Sequence, residues 1–214
     1  MSKNNKKVNK VPKHIQDLLK DYNQGIKLDI GCGERKNDGF IGMDIRPMKG
    51  VDIVWNLERF PYPLPDESVS LAVASHVLEH INPGNESPRL VGLIELLRAK
   101  KLITDAEIAQ YIGKYDVFGV FVTFMDEIWR ILKPKGQFAF IVPYAGSFGY
   151  WQDPTHINPI NEATLGYFDP LHESQLWHIY KPKPWEIKES HAQVNGFFEV
   201  VLEKRIMDKS YEVK

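Results

Sequence analysis

The sequence predicts an α/β domain built on a mostly parallel sheet. Lys27 to Ile30 is a short, partly β-branched run that stops at Gly31, where the backbone can turn tightly. Phe40 to Asp44 is a second short run of the same kind. Val69 to Ser75 is almost wholly apolar, which is typical of a strand covered on both faces. An acid closes each of the first two runs, at the edge where an open α/β sheet binds its ligands.

The composition limits the size and the partners of this domain. The chain has 214 residues and is 43% hydrophobic, which is enough for one domain with its own core. Its 27 basic and 28 acidic residues give a net charge of -1, so no overall field favours nucleic acid. The single cysteine, Cys32, excludes an internal disulfide. Because no apolar run approaches the about 20 residues of a membrane span, we expect a cytoplasmic protein without a membrane partner.

The start of the chain precedes the sheet. Residues 1–12 are rich in lysine and poor in apolar side chains, so we expect a disordered basic tail. The domain should then span residues 13–214. Apolar side chains recur at helical spacing directly after Lys13, which predicts a short helix before the first strand.

The turn after the first strand distinguishes two kinds of nucleoside cofactor. A dinucleotide site needs three glycines, as G-x-G-x-x-G, and a helix N-terminus for the pyrophosphate. Gly31 and Gly33 fill the first two positions, but Lys36 stands at the third. Asp29 places a carboxylate beside the turn, which favours a cationic ligand, and Asp44 suits a ribose diol. S-adenosylmethionine, with its sulfonium and ammonium groups, meets these conditions.

The link between the first two strands is unusually short. Only Gly31 to Gly39 separates them. A parallel crossover normally takes a dozen or more residues and usually contains a helix. We therefore expect at most one helical turn in this link and a cofactor site that is open at this edge.

Five stretches in a fixed order resemble class I S-adenosylmethionine-dependent methyltransferases. They are LDIGCG (28–33), GMDI (42–45), NLERFPYPLPDESVSLAVASHVLEHI (56–81), EIWRILKPKGQF (127–138) and IVPY (141–144). The resemblance covers roughly residues 26–206, apart from a segment near the middle. It implies a Rossmann-like seven-stranded sheet, mostly parallel, with helices on both faces. Phe197 to Ile206 would then be an antiparallel strand at the sheet edge.

The resemblance also implies which residues contact the cofactor. Asn56, after the third strand, would face the adenine amine, with the amide of Leu57 nearby, although many relatives have aspartate at that position. The alternative is that Asn56 only caps a loop. Ser75, at the end of the fourth strand, would lie beside the methionine part. The other predicted cofactor-binding residues belong to the first two strand ends: Asp29, Gly31, Cys32, Gly33, Asp44 and Ile45.

The stretch HVLEH, His76 to His80, allows two interpretations. If a helix begins at Val77, His76 and His80 share a face with Glu79 one position aside, and such a set can bind a divalent metal. Some RNA-terminus and quinone-ring methyltransferases have a similar Glu-x-x-Glu-His set. Here the first position is histidine, and Leu-Glu-His is common in class I enzymes without a metal. We therefore predict no metal ligand and place His76 beside the methyl acceptor.

Residues 83–115 depart from the compact family pattern. Ser87-Pro88 and Thr104 to Glu107 both have the form of helix starts. They predict a helical insertion after the fourth strand. A lid, a substrate-recognition element and a dimer contact all stay open as its role, and packing of its leucines against the domain is the simplest account.

The segment Pro143 to Asp169 is the predicted acceptor site. WQDPTH, Trp151 to His156, places an indole, a carboxylate and an imidazole in one loop, and a subset of small class I enzymes from bacteria and phages resembles it. His156, with Asp153 or His76, would act as the base toward the acceptor. The alternative is a network that orders the loop, in which Asp153 accepts backbone amides.

The predicted function is methyl transfer from S-adenosylmethionine to an oxygen or nitrogen nucleophile. The balanced charge and the aromatic loop favour a small-molecule acceptor, while a nucleic acid or protein acceptor stays open. The sequence does not identify the acceptor or the oligomeric state. A catalytically silent scaffold that binds the cofactor is one rival. A NAD-dependent oxidoreductase is the other, and the missing third glycine argues against it.

Overall fold

The structure is a computed structural model that describes residues 13–20, 25–82, 97, 100–102, 104 and 119–207. The predicted basic tail, residues 1–12, lies outside the described residues, as does almost all of the predicted insertion at residues 83–115. Among the described residues, no helix has both the length and the apolar character that a membrane crossing requires.

The described residues form one sheet with helices before its first strand and between its later strands. The elements are α1 Lys13–Lys20, β1 Ile26–Ile30, β2 Ile41–Asp44, β3 Ile53–Val54, β4 Val69–Ser75, a 3-10 helix Leu78–His80, α2 Gly119–Ile131, β5 Leu132–Pro143, α3 Phe148–Trp151, α4 Glu162–Leu165, α5 Trp177–Tyr180, β6 Trp185–Ala192 and β7 Phe197–Lys204.

The order of the strands is that of a doubly wound sheet. Neighbouring strands follow the order β3-β2-β1-β4-β5-β7-β6. β1 pairs in parallel with β2 and with β4, and the pairs β2–β3 and β4–β5 are parallel too. The chain order therefore reverses between β1 and β4, and the carboxyl ends of these strands border the crevice where such sheets bind ligands. The predicted Rossmann-like sheet is confirmed.

β7 is the antiparallel strand of this sheet. It pairs antiparallel with β5 on one side and with β6 on the other. The predicted antiparallel strand is therefore present one position in from the edge, as half of a hairpin, and β6 forms the edge itself.

One face of the sheet carries the core. Leu28, Ala72, Phe138 and Leu202 are aligned across four neighbouring strands, and all four are buried. α2 packs on this row, with the ring centre of Phe124 6.3 Å from that of Phe138. Burying each large apolar side chain stabilises the fold by roughly 1.5–3 kcal/mol.

The opposite face is less covered. Asp29, Val73, Ala139 and Val201 form the neighbouring row, and its three apolar members are only half-buried. These residues line a cavity of about 360 Å³. A crossover helix between β1 and β2 would lie on such a face, but residues 31–40 contain turns and no helix, as predicted. β4 is therefore not covered equally on both faces, which differs from the prediction.

A partly buried ion pair fixes the loop between β3 and β4. Arg130 on α2 donates from Nε to Oε2 of Glu127 over 2.8 Å and from Nη2 to Oε1 over 2.6 Å. Glu127 also accepts the backbone amide of Tyr62, and Nη2 of Arg130 donates to the carbonyl of Leu64 over 3.0 Å. The proline-rich loop is thus attached to the helix that covers the core.

Candidate functional site

The glycine turn after β1 is held by the end of β2. The amide of Gly31 donates to the carbonyl of Met43 over 2.7 Å, and the amide of Gly33 donates to Oδ2 of Asp44 over 3.0 Å. Gly31 has φ of +65°, and a Cβ at this position would lie 2.4 Å from Cγ2 of Val77. Only glycine fits there, because both the backbone conformation and the space exclude a side chain.

Asp44 is buried at the carboxyl end of β2, with 5% of its surface exposed. Its Oδ1 accepts the amide of Arg46 over 2.9 Å, while Oδ2 accepts that of Gly33. Each carboxylate oxygen has a second lone pair, so the group can still accept two ribose hydroxyls. Ile45, the next residue, is exposed and offers an apolar surface beside this carboxylate.

Asp29, on β1, holds the helix-free link between β1 and β2 in place. It is 5% exposed, and its Oδ2 accepts both the backbone amide and the side-chain amide of Asn37 over 2.8 Å. Lys36, at the third position of the glycine pattern, pairs with Asp52 at 2.7 Å. Side chains therefore hold the link in place, and no helix N-terminus follows the glycine turn.

Cys32 lies within the turn and is chemically quiet. Burial, and then the charges of Asp29, Asp44 and Asp52, raise the pKa of its thiol to about 11. The thiol is protonated at neutral pH and is a poor nucleophile. Cys32 and Gly33 line an open cavity of about 360 Å³.

The remaining predicted cofactor residues lie at the ends of β3 and β4. Asn56 is exposed, and its Oδ1 accepts the amide of Glu58 over 2.9 Å, so it does cap a loop. The carbonyl of Leu57 accepts the hydroxyl of Tyr62 over 2.8 Å. Ser75 is exposed and lines the same cavity as Asp29. The structure therefore brings Ser75 and Asp29 to one cavity and the glycine turn to another.

HVLEH does not form the α-helix on which the shared histidine face depends. His76 has φ of +55°, and the 3-10 helix Leu78–His80 follows it. His76 instead places Nδ1 3.2 Å from Oε1 of Glu79, and its ring packs edge-on against Phe197 at 5.2 Å. The His76 side chain is 42% exposed, so its ring is accessible at the end of β4.

The loop after β5 is attached to this 3-10 helix. The carbonyl of Glu79 accepts the amides of Ile157 over 3.0 Å and Asn158 over 3.1 Å. Nδ2 of Asn158 donates to the carbonyl of Leu78 over 3.1 Å. The two predicted acceptor segments, HVLEH and WQDPTH, therefore meet. The sequence placed both at one sheet edge and considered Glu79 only as a partner of His76 and His80, not as the residue that joins the two segments.

His156 and Asp153 are close without forming a hydrogen bond. Nδ1 of His156 donates to the carbonyl of Tyr150 over 2.8 Å, and Nε2 lies 3.7 Å from Oδ2 of Asp153. Asp153 accepts the hydroxyl and the amide of Thr155 over 2.7 and 2.8 Å, and these bonds lower the pKa of its carboxyl. Asp153 thus orders the loop, while the ring of His156 lies 4.8 Å from that of His80.

Comparisons with known proteins give likenesses of the fold. No model of a protein family matches the chain, and no curated protein matches it significantly. A SAM-dependent methyltransferase from Aquifex aeolicus is 13% identical over 89% of each chain, with a TM-score of 0.45. A variant of the 16S rRNA (adenine(1408)-N(1))-methyltransferase from Catenulisporales acidiphilia is 10% identical over 92% of this chain and 94% of that one, with a TM-score of 0.48. The [4+2]-cyclase SpnF is 13% identical over 90% of this chain and 80% of that one, with a TM-score of 0.45. Likenesses of this size carry no argument about activity, which rests on the site itself.

Proposed function

We propose that this protein transfers a methyl group from S-adenosylmethionine to an oxygen or nitrogen nucleophile. The observation that carries the proposal is a pair of buried carboxylates, Asp29 and Asp44, beside a glycine turn that no helix follows. A pyrophosphate would meet these negative charges without the helix N-terminus that normally binds it. The sulfonium and ammonium groups of S-adenosylmethionine are attracted by the same charges.

The proposed cofactor site uses the strand ends in order. Asp44 accepts the ribose hydroxyls, and Gly31, Cys32 and Gly33 allow the cofactor to approach the backbone. Ser75, which lines the same cavity as Asp29, would lie beside the methionine part. The adenine would be bound between the residues that follow β2 and β3, namely Ile45, Asn56 and Leu57.

Methyl transfer from a sulfonium needs few catalytic groups from the protein. The nucleophile attacks the methyl carbon in line with the leaving sulfur, the carbon–sulfur bond breaks, and sulfur keeps the electron pair as a neutral thioether. Positioning the two reactants supplies most of the acceleration. A base removes the acceptor proton where needed, and we assign this side of the site to His76, His156 and Asp153. The accessible ring of His76 is best placed to take that proton.

A small molecule is the acceptor that the residues favour. Trp151, the last residue of α3, is 72% exposed, and its indole offers a stacking surface for a planar compound. The net charge of -1 gives no general attraction to nucleic acid. A reducing compartment such as the cytoplasm agrees with the single cysteine.

Calorimetric titration with S-adenosylmethionine, S-adenosylhomocysteine and NAD tests the proposal. We expect micromolar binding of the two methyl-cycle compounds and none of NAD. Asp44→Asn should weaken binding at least tenfold because one carboxylate charge and one ribose acceptor are lost. Asp38→Asn is the matched control, since Asp38 is an exposed acid of the same link. Binding of NAD alone, or no binding of any of the three, would contradict the proposal.

A second experiment separates an enzyme from a silent scaffold. The protein is incubated with methyl-labelled S-adenosylmethionine and a small-molecule extract of cells. Label transferred to a compound in the extract, and lost with His76→Ala, supports catalysis. Tight cofactor binding without transfer to any fraction of small molecules or macromolecules would favour the scaffold.

A further inference from the structure

We propose that Glu79, His80 and His156 form a binding site for a divalent transition-metal ion, with Zn²⁺ as the first candidate. One ligand atom of each residue lies within 4.8 Å of those of the other two. The set joins the 3-10 helix after β4 to the loop after β5. The helical spacing of HVLEH predicts a set of His76, Glu79 and His80, whereas in the structure His156 takes the place of His76. This proposal does not depend on methyl transfer.

The carboxylate of Glu79 is buried with one oxygen unused. Only 1% of Glu79 is exposed, and its Oε2 has no hydrogen-bond partner among the described residues. Its Oε1 is occupied by His76 at 3.2 Å. A buried polar atom without a partner destabilises the fold, and the effect is larger when the group is charged. A cation bound at Oε2 would remove this effect.

His156 has the tautomer and the support of a metal ligand. Its side chain is only 7% exposed. The Nδ1–H group donates to the carbonyl of Tyr150 over 2.8 Å, which leaves the lone pair on Nε2. Histidines that bind metals usually donate their other ring N–H to a carbonyl or carboxylate in this way.

His80 completes the set from the solvent side. Its Nδ1 lies 3.2 Å from the hydroxyl and 3.3 Å from the carbonyl of Thr155, which leaves Nε2 for an ion. The carbonyl of Glu79 accepts two amides from the loop that carries His156, so the backbone already fixes the ligands near one another.

The ligand types select the metal. Two imidazoles and a carboxylate are a usual ligand set of catalytic zinc and of non-haem iron(II), whereas calcium and magnesium prefer oxygen ligands. Ligand atoms at about 2.0–2.1 Å from a tetrahedral zinc ion are about 3.3 Å apart, so the side chains must close by up to about 1.5 Å. Three protein ligands leave a position open, and His80 is exposed, so this position is reached from solvent.

A metal here would have a direct use in the proposed reaction. With Nε2 of His156 bound to the ion, His76 would remain as the base, and an acceptor oxygen bound at the open position would lose its proton more readily, as metal-bound water does. This consequence, unlike the site itself, rests on the proposed function.

Direct metal binding tests the site. Protein without an affinity tag is stripped with a chelator and titrated with Zn²⁺ against a chromophoric chelator, and with Co²⁺ followed by its visible spectrum. We expect one ion per chain and ligand-field bands of nitrogen and oxygen ligands. Glu79→Gln, which keeps the shape and removes the charge, and His156→Ala should each weaken binding at least tenfold. His178→Ala, an exposed histidine on α5, is the matched control and should bind as the unchanged protein does.

The outcomes separate this proposal from the preceding one. Equal Zn²⁺ affinity in Glu79→Gln and the unchanged protein, or no binding by the latter, would overturn the metal site. Circular dichroism checks the fold of each variant, and His80→Ala, which alters an exposed residue, replaces any variant that does not fold. Binding of S-adenosylmethionine to the metal-free protein is measured in an independent titration. Cofactor binding without Zn²⁺ binding would leave the methyltransferase proposal standing and remove the metal site.

Discussion

Oδ2 of Asp44 accepts the amide hydrogen of Gly33 over 3.0 Å, which makes the glycine turn and the acid at the end of β2 one structural unit. In a dinucleotide-binding fold, the helix after the glycine turn would help to support that turn. Here a carboxylate supports it. A substitution of Asp44 should therefore alter both the conformation of the glycine turn and the affinity for the proposed cofactor.

Gly31→Ala should lower the free energy of unfolding far more than Gly39→Ala does. Both glycines have positive φ, but a Cβ at Gly31 would meet Val77, whereas nothing lies within 4 Å of one at Gly39. We expect a loss of at least about 3 kcal/mol at Gly31 and about 1–2 kcal/mol at Gly39. Urea unfolding measures both variants. Equal losses would mean that the contact with Val77 does not matter.

Cys32 should react slowly with thiol reagents in the folded protein. Its pKa of about 11 leaves little thiolate at pH 8, so we expect modification by an aromatic disulfide reagent at least tenfold slower than after unfolding. Because the folded state holds the thiol proton more tightly, this group stabilises the fold below pH 9.0, and the stabilisation is lost as pH rises toward about 11. A fast reaction at pH 8 would show an exposed or activated thiol.

Asp126→Asn should stabilise the protein at neutral pH. Burial raises the pKa of Asp126 to about 6, while its Oδ1 accepts the amide of Lys183 over 2.7 Å, a bond that asparagine can keep. The folded state binds this proton more tightly than the unfolded chain does, so stability of the unchanged protein falls as pH rises from 3.8 to about 6. The advantage of the variant should grow across that range and then stay constant. Thermal unfolding between pH 4 and 8 measures it, and an advantage that is the same at every pH would contradict the titration.

Removing the Glu127 carboxylate should loosen the proline loop. Glu127→Ala removes the acceptor of the Tyr62 amide and one of several acceptors of the Arg130 guanidinium, which keeps its contacts with Asp66 and the carbonyl of Leu64, and we expect a loss of about 1–3 kcal/mol in denaturant unfolding. Arg130→Lys should lose less, because an ammonium keeps the charge but cannot span both carboxylate oxygens. If the lysine variant were as stable as the unchanged protein, the two-pronged contact would have no energetic role.

Much of the fold could be predicted because its signals are local. The short β-branched runs that end at Gly31 and Asp44 identify β1 and β2, and the spacing across the link excludes a helix between them. β6 was harder to predict, because the charged stretch Glu186 to His191 resembles an exposed loop as much as a strand. Its partner β7 was expected from the resemblance to class I methyltransferases, and only its place relative to the edge was missed.

The contact between the two acceptor segments could not be predicted. It depends on His76 in a left-handed conformation and on a 3-10 helix after it, and no glycine at position 76 indicates that turn. A regular α-helix would have aligned His76 with His80. The structure instead turns Glu79 toward the loop of His156, a residue far away in sequence. Such a pairing follows from tertiary packing and leaves no periodic signal.

The two edge strands of the sheet are poor templates for the addition of further strands. β3, at one end, consists only of Ile53–Val54 and offers few backbone groups to another strand. β6, at the other end, carries a bulge between Ile187 and Glu189 and a Glu186–Lys188 ion pair. Short, bulged and charged edges discourage strand addition. If two copies of this protein associate, they should do so through side-chain surfaces, and concentrated samples should resist conversion to fibrils that begin at these edges.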